Sequence, residues 1–140
     1  MGDRLFMSNK DIKQVEIVSD YGSYTNVIFF NQTIYQSKTK KQNKEGYYYT
    51  LKTVVPRVIY DYLKVTEDII YLVSDNNKTI VLSEPTQYLT DGVTVFKRKL
   101  NKKSHNFTVP KQLFDENNSS NYVASFIFVP TESMVLVEFS

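Results

Sequence analysis

Short apolar runs separated by polar stretches recur along the chain, and they predict strands rather than long helices. Ile69–Ser74 and Thr79–Ser83 are apolar on both faces and flank a short polar turn, which predicts a hairpin. Tyr122–Val129 and Met134–Phe139 repeat that pattern near the end of the chain. Because strands that are apolar on both faces must be covered on both sides, we expect them to pair within an enclosed barrel or sandwich.

The second half of the chain repeats the first. At a displacement of 54 positions, residues 53–84 align with residues 107–138 without a gap. The strands leading into each half match at a displacement of 61, with Thr33-Ile34-Tyr35 against Thr94-Val95-Phe96. The difference between the displacements of 61 and 54 implies a seven-residue insertion in the first hairpin. We therefore predict two diverged copies of one unit.

Each unit is predicted to contain a lead-in strand, a lysine-rich hairpin, a returning strand ending at Val-Pro, a short helical turn begun by proline, and the apolar hairpin. The first three segments are Asn26–Tyr35, Gln36–Gly46 and Tyr47–Val55 in unit one, and Val93–Lys99, Leu100–Ser104 and His105–Val109 in unit two.

These segments divide the chain into an N-terminal extension (residues 1–22), unit one (residues 23–92) and unit two (residues 93–140), together one compact domain. Residues 1–6 are interpreted as a tag or an alternative start, because Met7 begins a second plausible start. Gln14–Val18 reads as a strand outside the repeat, and we expect it to add an edge strand.

The two Val-Pro-basic turns and their flanks resemble the AbrB/SpoVT-type swapped-hairpin DNA-binding domain. The turns are Val55-Pro56-Arg57 and Val109-Pro110-Lys111, and Lys64–Asp68 stands where that family has Leu-Lys-Glu-Gly-Asp. In the family, two copies interleave their hairpins into one barrel. The resemblance implies a mainly β fold with short helices. It also implies that two internal repeats of one chain form a pseudo-twofold swapped-hairpin β-barrel, as in MraZ-like proteins.

Charge is distributed unevenly, although the net charge is only +2. Residues 36–57 and 97–111 contain twelve basic residues and one acidic residue, a net charge of +11. The remainder contains five basic and fourteen acidic residues, a net charge of −9. We expect the duplicated architecture to bring both basic hairpins side by side on one face, where they attract a phosphate backbone. The alternative is that these lysines only keep strand edges solvated.

The candidate DNA-binding residues fall into two chemical groups. The lysines are expected to contact phosphates: Lys38, Lys40, Lys41, Lys44, Lys52, Lys97, Lys99, Lys102, Lys103 and Lys111. Arginine and asparagine side chains are the better readers of base edges: Arg57, Arg98, Asn101 and Asn106. Alternation puts Tyr47 and Tyr49 on one face and Tyr48 on the other, where cross-strand packing is favoured over base stacking.

The sequence predicts little chemistry beyond binding. With no cysteine, a single histidine at His105 and no glycine-rich phosphate loop, we expect no metal site, no cofactor and no enzymatic activity. No apolar run approaches the roughly 18 residues of a membrane span, and we expect a cytoplasmic protein.

The function predicted is that of a DNA-binding transcriptional regulator of a bacterium, plasmid or phage, with duplex DNA as partner and homodimer formation left open. Two alternatives remain: an antitoxin of the MazE kind, and a phage-encoded inhibitor that binds a host protein through its tyrosine-rich surface.

Overall fold

The computed structural model describes residues 12–13, 17–19, 22–24, 27–42, 44–75, 78–84, 92–117 and 121–140. The first six strands are β1 (Ile12–Lys13), β2 (Ile17–Ser19), β3 (Gly22–Tyr24), β4 (Val27–Thr33), β5 (Tyr35–Lys40) and β6 (Tyr47–Val54). The rest of the chain forms α1 (Arg57–Leu63), β7 (Ile69–Ser74), β8 (Thr79–Leu82), β9 (Thr94–Lys99), β10 (Asn106–Thr108), β11 (Val123–Val129), a 3₁₀ turn (Pro130–Glu132) and β12 (Met134–Phe139). No helix among these residues is long and apolar enough to cross a membrane.

The strands form two main sheets and one small hairpin, and their pairings are antiparallel. The large sheet has the order β1-β4-β11-β12-β8-β7-β9, and the small sheet has the order β10-β6-β5. Strands β2 and β3 pair only with each other. The mainly β prediction is confirmed. The closed barrel is wrong for the described residues, because the large sheet is open and ends at β1 and β9.

Strand positions follow the sequence pattern closely, because alternating apolar residues dictate which segments can bury a face. The predicted bounds of β7 and β12 agree with the structure. One difference concerns residues 36–40, which were predicted within the lysine-rich hairpin and instead form β5 together with Tyr35. The predicted strand Gln14–Val18 lies partly outside the described residues, and residues 1–6 lie wholly outside them. The edge strand beside β4 is Ile12–Lys13.

The proline turns differ between the units. Pro56 caps α1, and its carbonyl accepts the Tyr60 N–H at 2.9 Å, closing the first helical turn. Pro110 begins only a single turn, in which the Leu113 N–H donates to the Pro110 carbonyl at 3.0 Å. The described residues therefore contain one short α-helix where two helical turns were predicted.

The lead-in strands cross between the units. Phe29 of β4 lies opposite Ile127, and Val95 of β9 lies opposite Val73. Val73 and Ile127 are 54 positions apart, whereas Phe29 and Val95 are 66 positions apart. This register therefore does not match the offset of 61 read from the sequence; under a 54-position repeat it corresponds to a twelve-residue insertion in the first hairpin, the difference between 66 and 54.

The main core lies between the inner face of the large sheet and the small sheet. Phe126 and Leu72 from the large sheet are fully buried there, together with Phe107 and Val55 from the small-sheet side. Ile59 of α1 closes the same cluster. The apolar area removed from water, at about 25 cal/mol per Å², holds the two sheets together and fixes the position of the basic segments above them.

Candidate nucleic-acid interface

The small sheet carries the longer basic hairpin. Strand β5 pairs with β6 so that Lys38 lies opposite Tyr49 and Lys40 lies opposite Tyr47. The described connecting residues 41, 42 and 44–46, here called tip one, lie at the amino end of β6, where Gly46 adopts φ +99°. A left-handed φ of this kind favours glycine, because a side chain would clash with the backbone.

The second basic hairpin meets the opposite end of the same strand. Strand β10 pairs with the carboxyl end of β6, with Asn106 opposite Val54. The His105 carbonyl accepts the Val55 N–H at 3.0 Å, which holds residues 100–105, here called tip two, beside that end.

The two tips are therefore not side by side. Tyr47 and Val54 are seven positions apart along β6, which at roughly 3.3 Å per position corresponds to about 23 Å. The prediction that both hairpins stand next to each other is wrong, because antiparallel pairing of β6 with β10 sends their loops to opposite ends of one sheet.

The predicted lysines are mostly accessible. Lys52 is half-buried in the middle of the small sheet. The others are exposed: Lys38, Lys40, Lys41, Lys44, Lys97, Lys99, Lys102, Lys103 and Lys111. Within the described residues none of these lysines forms an ion pair with a carboxylate. In the described part of the chain no ion pair therefore offsets their positive charge.

The two arginines have quite different environments. Arg57 is exposed and forms an ion pair with Asp61 one helical turn later, at 3.3 Å. Arg98 is half-buried; its Nε donates to the Thr108 carbonyl at 2.9 Å and its Nη1 donates to the Lys97 carbonyl at 3.0 Å. Desolvation by burial lowers the pKa of the Arg98 guanidinium from its usual value, although the group remains charged at neutral pH.

Both asparagines form hydrogen bonds within the protein. The Asn101 Oδ1 accepts the N–H groups of Lys103 and Ser104 at 2.9 and 3.0 Å, which shapes tip two. The Asn106 Nδ2 donates to the Tyr35 hydroxyl at 2.9 Å, across the small sheet. The sequence did not predict the partnership with Tyr35, since the two residues lie 71 positions apart.

Three consecutive tyrosines on β6 project from the small sheet. Tyr47, Tyr48 and Tyr49 are 49%, 48% and 54% exposed. The pairing register confirms the predicted alternation, with Tyr47 and Tyr49 on the face of Lys40 and Lys38. The Lys38 Nζ lies 4.0 Å from the centre of the Tyr47 ring, a cation–π contact.

A cleft of about 780 Å³ lies between the small sheet and the turn that follows Pro110. Tyr49 and Arg98 line it from the strands, and Gln112 and Phe114 line it from the turn. Sequence reasoning missed this cleft, because its walls come from segments more than 40 positions apart that share no motif.

Among the described residues no three His, Cys, Asp or Glu side chains lie close enough together to hold a metal ion. Comparisons with protein-family models, with curated proteins and with solved structures returned no match.

Proposed function

We propose that this protein binds duplex DNA as a transcriptional regulator, using the basic tips at the two ends of the small sheet. One observation carries the proposal: exposed lysines that have no carboxylate partner among the described residues stand at both ends of one continuous sheet. Lys41 and Lys44 belong to tip one, whereas Lys102 and Lys103 belong to tip two. Neutralising phosphates with these lysines releases condensed counterions, which is the main sequence-independent source of DNA affinity.

The spacing of the tips suits a duplex lying along the small sheet. The separation of about 23 Å along β6 is shorter than one turn of B-DNA, roughly 34 Å. A duplex parallel to β6 therefore brings phosphates to both tips within one turn. Arg57 and Asn101 already have intramolecular partners, so we expect lysine–phosphate contacts to dominate the affinity.

We also propose that the two units interleave in the swapped-hairpin manner that the sequence resemblance implies. Support comes from strands that pair across the units, β4 with β11 and β9 with β7. The Ile34 N–H donates to the Tyr122 carbonyl at 2.8 Å, and the Leu100 N–H donates to the Asp68 carbonyl at 2.6 Å, a matched pair of bonds. Thr53 lies opposite Phe107, its own equivalent 54 positions later, as expected at a pseudo-twofold axis.

A pseudo-twofold axis would also give the DNA proposal a geometric basis. Duplex DNA has twofold axes perpendicular to its length, and twofold proteins commonly align theirs with those axes. Two equivalent tips would then meet equivalent backbone positions on either side of one axis. A random-pool selection of bound DNA should accordingly yield imperfect palindromes.

The test of the proposal is fluorescence anisotropy with a labelled 20-base-pair duplex over a salt series. We expect the affinity to fall steeply with salt, and the slope of log K against log salt to decrease by about 0.9 for each phosphate contact removed. Lys102→Gln and Lys103→Gln should each reduce this slope and weaken binding to all sequences alike.

The matched control is Lys64→Gln, which removes the same charge from an exposed position after α1, outside the proposed interface. Its salt slope should equal that of the parent protein. Absence of binding at low salt, or equal effects of the Lys64 and Lys102 variants, would refute the proposed interface.

Protein binding through the tyrosine-rich surface remains the second candidate, because three neighbouring tyrosines are about half exposed. Tyrosine is enriched at the centres of protein interfaces. Pull-down from a host lysate with and without nuclease separates the candidates. A partner that is retained after nuclease treatment and lost in Tyr47→Ala would favour protein binding over DNA binding.

A further inference from the structure

The cleft beside the Pro110 turn has the composition of a ligand site, and duplex binding at the two tips leaves it unused. Arg98 and Lys111 bring positive charge to its wall, and Tyr49 and Phe114 bring aromatic rings. Gln36 and Gln112 contribute side-chain amides. Its volume of about 780 Å³ lies within the range of roughly 300–1,000 Å³ of small-molecule sites.

Arg98 indicates that the ligand is an anion. Its guanidinium is half-buried and forms no ion pair with a carboxylate among the described residues. Two of its five N–H groups donate to backbone carbonyls, which orient the group. The remaining three have no partner in the described part of the chain. A partly desolvated cation with unused donors is stabilised further when an anion meets it, and guanidinium donors match phosphate oxygens well.

The rest of the cleft indicates a planar group attached to that anion. Tyr49 is 54% exposed where it lines the cleft, so its ring is available for stacking. Amides such as those of Gln36 and Gln112 offer a donor and an acceptor each, as recognition of a base edge requires. Asp115 and Glu116 also line the cleft. Each already accepts a hydrogen bond, from the Asn117 N–H at 3.0 Å and from the Tyr122 hydroxyl at 3.4 Å, and a carboxylate has further lone pairs that an exocyclic amino group can use.

We propose that this cleft binds one nucleotide. In this complex Arg98 and Lys111 contact the phosphate, and the Tyr49 ring stacks on the base. The side-chain amides and carboxylates that line the cleft form hydrogen bonds with the edge of the base. The nucleotide is either free in solution or an unpaired residue of a nucleic-acid strand, since both present the same base and phosphate. The inference does not rest on duplex binding, because it uses a different surface from the two tips.

The experiment is a titration of the full chain with AMP, in which binding is measured through the NMR chemical shifts of the backbone amides. We expect saturable shifts at cleft residues such as Leu51, Val109 and Gln112, and weaker binding of inorganic phosphate. Loss of base stacking in Tyr49→Ala should weaken AMP binding by roughly 5- to 100-fold. A parallel titration with single-stranded oligo(dA) distinguishes a free nucleotide from an unpaired residue of a strand. If oligo(dA) binds more tightly than AMP, the site is assigned to an unpaired strand. If it binds equally or more weakly, the site is assigned to free nucleotide.

Two neighbouring residues provide matched controls. Tyr48 has nearly the same exposure as Tyr49 but points to the other face of β6, so Tyr48→Ala should leave AMP binding unchanged. Likewise Arg98→Gln should abolish binding, whereas Lys97→Gln on the opposite face of β9 should not.

The proposal is overturned if AMP produces no saturable shifts, if phosphate binds as tightly as AMP, or if the Tyr48 and Tyr49 variants lose affinity equally. Duplex anisotropy on the same samples reports separately on the tips. Failure of one proposal therefore remains distinguishable from failure of the other.

Discussion

The imidazole ring of His105 stacks on the phenol ring of Tyr60, with 3.8 Å between the ring centres and 7° between the ring planes. The Tyr60 hydroxyl in turn donates to Asp68 Oδ1 at 2.8 Å. This contact joins tip two, which belongs to unit two, to the helix of unit one. The only histidine in the chain therefore anchors a basic loop in place.

Removing the ring stack should loosen that anchor. His105 has φ +59°, a conformation that asparagine tolerates well, so His105→Asn removes the ring with little added backbone strain. We expect a loss of about 0.5–1.5 kcal/mol in the free energy of unfolding, measured by urea denaturation. An unchanged free energy of unfolding would show that the stack contributes nothing.

Alkaline pH should weaken the same anchor. The hydrogen bond to Asp68 is the largest cause that raises the pKa of Tyr60 above 10.0, followed by desolvation and the charges of Asp68 and Asp61. Because the folded-state pKa is above the unfolded one, the stabilisation is complete below pH 10.0 and is lost as the pH rises through the folded-state pKa.

The variant Tyr60→Phe isolates this contribution. We expect it to have a lower Tm than the parent protein at pH 8, and the difference in Tm to narrow above pH 10, as followed by circular dichroism. A difference that stays constant from pH 8 to pH 11 would contradict the assignment.

The centre of the small sheet should be sensitive to truncation. Phe107 is 1% exposed and packs in the main core opposite Thr53. Phe107→Ala is expected to cost about 3–5 kcal/mol, a large share of the roughly 5–15 kcal/mol that stabilises a domain. The exposed-site control Tyr48→Ala should remain within about 0.5 kcal/mol of the parent in the same denaturation experiment.

Shortening the first hairpin should separate stability from DNA binding. Replacing residues 40–47 by Asn-Gly leaves Thr39 opposite Tyr48 around a two-residue turn, a loop that favours hairpins. Three lysines disappear, so we expect the salt slope of DNA binding to fall by up to about 2.7, while binding through tip two persists. Thermal unfolding should be nearly unchanged, and a collapse of stability would mean that tip one is structural.

A single glycine should stabilise the loop after α1. Glu67 is exposed and has φ +57°, which costs an L-residue roughly 1–2 kcal/mol relative to its preferred conformations. Glu67→Gly relieves that strain, partly offset by the greater backbone entropy of glycine in the unfolded chain. We expect a net gain of about 0.5–1 kcal/mol in urea denaturation; a loss would mean that the glutamate side chain makes a stabilising contact.

Much of the strand pattern could be predicted, but the lead-in offset could not. The triplets Thr33-Ile34-Tyr35 and Thr94-Val95-Phe96 look alike, yet the residue whose main-chain bond matches that of Ile34 is Leu100. Both are buried, and both donate their N–H across the units to residues with left-handed φ. A side-chain pattern cannot reveal such main-chain bonds, because every residue except proline carries the same N–H and C=O groups.

The candidate site was predictable in its charge and not in its geometry. Exposure of lysines such as Lys41 and Lys102 follows from sequence, because an unpaired ammonium group is costly to bury. The ion pair that occupies Arg57 involves Asp61, which the helix brings one turn away. The half-burial of Arg98 and the bond between Asn106 and Tyr35 depend on segments that meet only in the folded chain.

The sequence by itself determined the strand content and the concentration of positive charge, because these depend on the period and identity of nearby residues. Only the tertiary structure decided that β6 pairs antiparallel with β10, so that the tips lie at opposite ends of one sheet and a cleft opens beside the Pro110 turn. Strand order and direction are set by the burial of side chains and the pairing of main-chain groups over the whole molecule, which no local pattern records.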